Sequence, residues 1–383
     1  MSNDLAQFFP PHHWRVNQPD QISSPQLVIY LEHLLHNLRT MMRIAGPHAA
    51  KVLRPHCKTH KMPAITRLQL SMGLTKHKAA TLAEAEMLAQ AGVKDIVLAY
   101  NMVGPNIQRA VRFRQKYPDV NFCVTADAPE PLQQLGAAMQ SAGLTIGVLL
   151  DVNPGRDRTG LPPGPEAVRL YQFIGETPGV EPAGFHVYDG HFHQSDLAER
   201  TAAVRPAWES VLSLRDQLEQ QGLPVPRIIC GGTPTFTVYS QFKDPALELS
   251  PGTCVFHDVS YHEKYPDLRD FRPAALVFTR VVSRPTADRV TFDMGTKSIA
   301  ADPPMGQRAF FPALPVGAQV LHNEEHLVIE SPLAGQFKPG DWALAIPRHV
   351  CPTSAMHREA VVLQGGDVVD HWPVVARDRE LTI

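Results

Sequence analysis

The sequence contains no apolar run near the roughly 18 residues that a membrane-spanning helix needs. Its first residues, MSNDLAQFFPPHHW, have no basic stretch followed by an apolar core, so no secretory signal is expected. No block of like charge stands out, and Lys+Arg number 36 against 38 Asp+Glu, for a net charge of −2. Nucleic acid and membrane surfaces therefore have no electrostatic claim as partners. Cysteines are few. The five, Cys57, Cys123, Cys230, Cys254 and Cys351, are odd in number and form no CxxC pair. A reduced, cytoplasmic protein is the expectation. Neither GxGxxG nor GxxxxGK occurs, so dinucleotide and P-loop sites lack their usual support.

Histidine and proline are plentiful. The 383 residues include 18 His, 35 Pro and 25 Gly, with 44% hydrophobic and 19% charged residues. This composition supports a folded core with many loops. Short apolar runs alternate with helical patterns from about residue 26 to 250. The runs are LVIY (27–30), KVLRPH (51–56), DIVLAY (95–100), NFCVTA (121–126), IGVLLDV (146–152), PAGFHVY (182–188) and RIIC (227–230). Strands of this kind suit a parallel sheet covered on both faces.

Between them, Thr81-Leu-Ala-Glu84 reads as a capping box, and a second helix is expected to begin near Pro206. The expected fold is α/β: a (β/α)8 TIM-type barrel over 26–262, preceded by an N-terminal segment (1–25) packed on the second domain. After about residue 262, strand-like runs separated by Pro and Gly predict a mostly-β domain over 263–383.

Six segments carry candidate chemistry. Arg54-Pro-His-Cys-Lys58-Thr-His-Lys61 ends a predicted strand, where barrel sites are built; a lysine there can act as a Schiff-base nucleophile. Gly231-Gly232-Thr233 and Ser250-Pro-Gly252-Thr253 offer backbone N–H and hydroxyl donors suited to a phosphate. His349 and Cys351, two apart in a predicted strand or at its end, can face one side and share a metal; nitrogen with sulfur favours zinc over magnesium. Tyr188, Asp189, His191 and His193 offer acid–base groups or cofactor props. Arg158 offers a guanidinium for a phenolic or phosphate oxygen.

In order, RPHCKTHK, ATLAEAEMLAQAGVKDI, the RTG loop, the DGH loop, GGTPTF, ELSPGT, DMGTKS and PRHVCPT resemble the fold-type III pyridoxal-phosphate enzymes of the D-serine dehydratase and D-threonine aldolase branch. The resemblance spans about residues 26–375 and implies an alanine racemase-like barrel, a C-terminal β domain and a homodimer. It implies that Lys58, not Lys61, bears pyridoxal 5′-phosphate. Gly231, Gly232, Thr233, Gly252 and Thr253 would then hold its phosphate, and Arg158 would lie near its phenolic oxygen. It makes His349 and Cys351 the ligands of a divalent metal, zinc first, with manganese or magnesium also open.

Lys58, His193 and Tyr188 are the expected catalytic groups, with Tyr188 also touching the cofactor and His193 a candidate base for the substrate hydroxyl. Racemases of this fold have an arginine before the Pro-Gly, where this chain has Ser250. D-Threonine aldolases show His-x-Asp at the metal pair, so His-x-Cys tilts the reading toward a D-serine dehydratase: a β-hydroxy-D-amino acid enters, and pyruvate and ammonia leave. Retro-aldol cleavage to glycine and an aldehyde is the second reading. A racemase, a cofactor-binding protein without catalysis and a zinc hydrolase without pyridoxal phosphate rank lower.

Overall fold

Runs rich in Val, Ile and Leu extend when both faces of a strand are to be buried. In the computed structural model, which describes residues 5–383, these runs are strands of two units. One unit comprises residues up to Thr40 together with Thr253–Arg377; the other comprises Met41–Gly252 with Asp378–Ile383. The first strand, β1 (Gln26–Tyr30), belongs to the former.

The barrel unit holds β2 (Lys76–Ala79), β3 (Asp95–Asn101), β4 (Asn121–Ala126), β5 (Ile146–Val152), β6 (Val180–Val187), β7 (Ile228–Cys230) and β8 (Leu247–Leu249), seven strands in sequence order. All their pairings are parallel. Residues 53–56 supply the remaining position. Leu53 bridges to Leu249 of β8 and His56 to Lys78 of β2, both in the parallel sense.

Backbone bonds from Arg54 N–H to Leu249 O (2.8 Å), His56 N–H to Pro251 O (2.9 Å) and Lys78 N–H to Pro55 O (2.9 Å) fix this register. Inside, Val97, Cys123, Leu149, Ala183 and Ile229 form one layer from five successive strands. A Cβ at Gly147 would come within 2.5 Å of Cys123 Sγ, so the interior has no room there.

The β unit contains β1 with β9 (Ala275–Thr286), β10 (Arg289–Phe292), β11 (Ala309–Phe310), β12 (Ala318–His322), β13 (Leu327–Glu330), β14 (Trp342–Pro347), β15 (Glu359–Gln364) and β16 (Asp367–Pro373), nine strands in one sheet. Leu5, Phe9, Trp14 and Ile22 of the N-terminal segment pack in its core with Val28, Phe278, Ile346 and Leu363. Residues 1–4 of the expected N-terminal segment lie outside the described residues. No helix among the described residues is long and apolar enough to cross a membrane.

Three elements depart from the sequence reading. LVIY is not a barrel strand: β1 runs antiparallel to β9 and parallel to β15. The compact units divide at Thr40/Met41 and Gly252/Thr253. Of KVLRPH, residues 49–52 form a helical turn, and only the bridges at Leu53 and His56 are strand-like. The long helix spans Leu197–Glu219 with Pro206 inside it. Asp196 caps it, accepting from Ala198 N–H (2.8 Å) and Glu199 N–H (2.9 Å), so the start signal was the aspartate and not the proline.

Closure depends on Arg54, which is fully buried. Its guanidinium donates to Glu248 of β8 (2.5 Å) and Asp95 of β3 (2.8 Å). Replacing it leaves Glu248 with Lys76 (2.7 Å) and Asp95 with the longer contact to Arg227 (3.4 Å). Arg54→Met should lower unfolding stability by about 3–5 kcal/mol in urea titrations; a loss within the range of a surface substitution would contradict this role.

Candidate active site

Because residues 53–56 close the barrel, the chain emerges at the C-terminal ends of the strands with Lys58 in a single 3-10 turn, Cys57–Thr59. Lys58 donates its backbone N–H to His56 Nδ1 (3.3 Å). Burial, and then the charge of Lys58, hold the His56 imidazole well below its ordinary pKa, so it acts as a neutral acceptor. Three residues after Lys58, Lys61 takes a left-handed backbone (φ 55°), and its side chain pairs with Glu84.

Glu84 is fully buried. It pairs with the Lys61 ammonium and accepts from Ala80 N–H (2.6 Å) and the Cys57 thiol (3.6 Å). Thr81 Oγ1 accepts from Glu84 N–H (3.1 Å), which completes the helix cap over Leu82–Gln90. Donor atoms of His56, Cys57 and Glu84 lie within 4.8 Å of one another. The Lys61 ammonium pairs with the Glu84 carboxylate of that cluster.

Lys58 is only partly buried, and its Nζ lies 5.8 Å from the centre of the Tyr188 ring. Arg158 stacks on the same ring at 4.2 Å. Tyr188 follows β6, sharing a face with His186 two residues earlier. His186 Nδ1 bonds Asp151 Oδ1 of β5 at 2.8 Å, both side chains buried. Burial alone would raise Asp151, but the bonds from His186 and Thr159 hold it below the usual carboxylate range. A Cβ at Gly190 would lie 2.5 Å from Tyr188 Oη, so only glycine fits beside that phenol.

Asp189 is buried and ties two loops together. It accepts from Thr235 Oγ1 (2.9 Å), and also from the Tyr239 hydroxyl and Gly232 N–H. The GGTPTF loop is held further: Gly252 N–H donates to Thr233 Oγ1 (3.3 Å), and Ser250 Oγ donates to Arg54 O (2.9 Å). Gly231 is left-handed (φ 74°). A Cβ at Gly252 would meet His56 O at 3.1 Å, so glycine lets this loop press on the lysine segment. Gly231, Gly232, Thr233 and Gly252 thus gather with Lys58, Tyr188 and Arg158 at one end of the barrel.

The His193 imidazole is exposed, and its Nδ1 lies against His191 O. Among the described residues no contact links it to Lys58 or Tyr188.

In the β unit, His349 and Cys351 are not on a strand. His349 caps the helix Val350–Met356 and Cys351 begins it, because β14 ends at Pro347 and Asp258 accepts from Val350 N–H (3.1 Å). The pair still meets. Burial opposes charge on His349, but hydrogen bonds to Cys351 and Asp302 outweigh it and raise its pKa to about 9. Asp302 Oδ2 lies 2.5 Å from His349 Nδ1, and Thr253 Oγ1 lies 3.4 Å from Cys351 Sγ. A nitrogen and a sulfur donor side by side, with a carboxylate to orient the ring, suit a zinc-type ion.

The barrel's donor set likewise suits a phosphate-bearing aldehyde: a primary amine, a stacking ring, a guanidinium and glycine-threonine loops. Residues 29–259 match the family model of the alanine racemase N-terminal domain, and residues 274–363 match that of a putative serine dehydratase domain. The chain belongs to the fold-type III pyridoxal-phosphate enzymes.

Within that family it is 30% identical over 359 residues to a D-threonine aldolase of an Arthrobacter species, covering 93% of each chain. It is 27% identical to the 3-hydroxy-D-aspartate aldolase of Paracoccus denitrificans, covering 94% of this chain and 93% of the other. Among solved structures, the D-threonine aldolase of Filomicrobium marinum superposes with a TM-score of 0.86 at 29% identity, covering 96% of this chain and 98% of that one. These relatives are lyases, and the chain is an enzyme of that kind.

Sequence reasoning missed Lys78, Asp302 and the Asp151–His186 pair. Lys78 is buried on β2, whose KHKA sequence has no apolar run to mark a strand. Asp302 lies in a loop 47 residues from His349. Asp151 and His186 were each visible at the end of a run, but only the β5–β6 register opposes them.

Glu84 was visible as a cap, and its second partner was not. Lys61→Met leaves that buried carboxylate without its cation and should cost about 3–5 kcal/mol in urea unfolding. Adding Glu84→Gln should restore most of the loss. A double variant as unstable as the single one would contradict the pairing.

Proposed function

We propose that this enzyme is a metal-assisted lyase acting on β-hydroxy-D-amino acids, with elimination of water from D-serine as the first reading. The observation that carries it is the division of labour between the two lysines of RPHCKTHK. Lys61 is held by Glu84, whereas Lys58 stands at the barrel mouth beside Tyr188 and Arg158.

When bound, pyridoxal phosphate supplies an electron sink for charge developing at Cα, and a divalent metal supplies Lewis acidity at an oxygen. The chain's own groups do the rest. Lys58 Nζ is the nucleophile that captures the cofactor's aldehyde and, once released, the base that takes the Cα proton. Tyr188 would give the cofactor ring a stacking surface, and Arg158 would serve its phenolic oxygen. Gly231, Gly232, Thr233, Gly252 and Thr253 are the proposed phosphate ligands. His349 and Cys351 hold the metal, zinc in this reading, with Asp302 fixing the imidazole. His193, exposed on the loop after β6, is the proposed base for the substrate hydroxyl.

Cys351 supports elimination over the aldolase course. Retro-aldol cleavage of D-threonine to glycine and acetaldehyde is the second reading, favoured by the 30% identity to a D-threonine aldolase. The family resemblance also supports a cytoplasmic homodimer as the working form.

The test is product analysis with D-serine and D-threonine, with and without a chelator. Pyruvate or 2-oxobutyrate with ammonia, lost on chelation, is the expected result. Glycine and acetaldehyde from D-threonine would establish the second reading instead. Cys351→Ala should lose metal and turnover while keeping the visible band of the cofactor-bound protein; full turnover in that variant would remove the metal from the proposal.

A further inference from the structure

Lys78 is a buried cation without a partner. It lies on β2, only 4% exposed. The preceding residue, His77, points outward and bonds Gln69 in the helix Pro63–Ser71 (3.0 Å), so the alternation of the strand turns Lys78 into the barrel. Its Cα pairs with that of His56, two residues before Lys58. Among the described residues, Lys78 Nζ makes no hydrogen bond and no ion pair. A buried ammonium left alone is strongly disfavoured, so an unpaired one at the foot of a site calls for an explanation.

One acid faces it, and no ion pair forms. The groups that face Lys78 are Arg54, His56 and Lys58 from the closing segment, His186 of β6, Asp189 and Cys230. Asp189 is the acid among them: its Oδ1 accepts from Thr235, its Oδ2 is buried without a hydrogen bond, and neither oxygen forms an ion pair with Lys78. Asp151 is held by His186 and Thr159. Lys58, Lys78 and Arg158 therefore outnumber the acids left to meet them.

We propose that Lys78 is a ligand-binding residue of the barrel site, donating a charged hydrogen bond to an anionic oxygen of the bound cofactor. Two oxygens have the required chemistry: those of the phosphate and the phenolic oxygen of the ring. The inference rests on the pyridoxal-phosphate reading given above. It has a consequence in protons. Burial, and then Lys58, lower the Lys78 pKa to about 7 in the empty site. Near pH 8 the amine is mostly neutral there, and an arriving anion draws a proton onto it.

The test uses the full chain carrying Lys58→Ala, which removes the covalent link and leaves binding alone. Calorimetry near pH 8, in two buffers of different ionisation enthalpy, follows pyridoxal phosphate, pyridoxal and inorganic phosphate. Adding Lys78→Met should weaken pyridoxal phosphate about 10-fold or more and abolish an uptake approaching about one proton per site. Adding Lys78→Arg instead should keep the affinity and lose the uptake, since a guanidinium is already charged.

Weakened inorganic phosphate with unchanged pyridoxal assigns the contact to the phosphate. Weakened pyridoxal with unchanged phosphate assigns it to the ring oxygen. Unchanged affinity and uptake in Lys78→Met overturn the inference. If the parent enzyme, with Lys58 intact, develops no visible band with pyridoxal phosphate, the functional reading itself fails and this inference falls with it.

Discussion

Arg54 is wholly buried, and its guanidinium decides where residues 53–56 can run. Paired with Glu248 of β8 and Asp95 of β3, it holds this irregular segment in a place where a strand would otherwise stand. A charge at that depth persists only when its partners are fixed, because losing one leaves the other unpaired in a medium of low polarity. The constraint passes along the chain. Once Leu53 is tied to β8 and His56 to β2, Lys58 has to leave the barrel at the C-terminal ends of the strands.

The same physics joins the remaining pieces of the site. Two buried carboxylates act as fasteners. Glu84 binds the lysine loop to the start of the helix Leu82–Gln90 through Lys61, Cys57 and the Ala80 N–H. Asp189 binds the loop after β6 to the glycine-threonine loop after β7. Each acid accepts from donors on more than one segment, and this keeps loops fixed without a helix or sheet of their own. Glycines appear where the loops press together: Gly190 against Tyr188, and Gly252 against His56.

The sequence made β3 to β7 legible because their apolar runs have strand length and are flanked by turns. Residues 27–30 carry the same signal but pair in the other sheet; an apolar pentapeptide does not encode which sheet it joins. β2 was invisible, since Lys76, His77, Lys78 and Ala79 offer no hydrophobic pattern. The capping box at Thr81 and Glu84 was readable because its partners lie within four residues. Asp302 opposite His349, and Glu84 opposite Lys61, were not, since each pairing spans tens of residues and is made by the fold. His349 and Cys351 were found by their chemistry although the local structure is a helix start and not a strand.

The central claim is that Lys58, rather than Lys61 or Lys78, carries the cofactor. Borohydride reduction of the cofactor-loaded enzyme, followed by proteolysis and mass spectrometry, tests it most directly. The account predicts one phosphopyridoxyl adduct, on the peptide containing Lys58 and on that residue. An adduct on Lys61 would contradict the role of Glu84 as its partner, and one on Lys78 would make that residue the nucleophile; either result would overturn this description of the site.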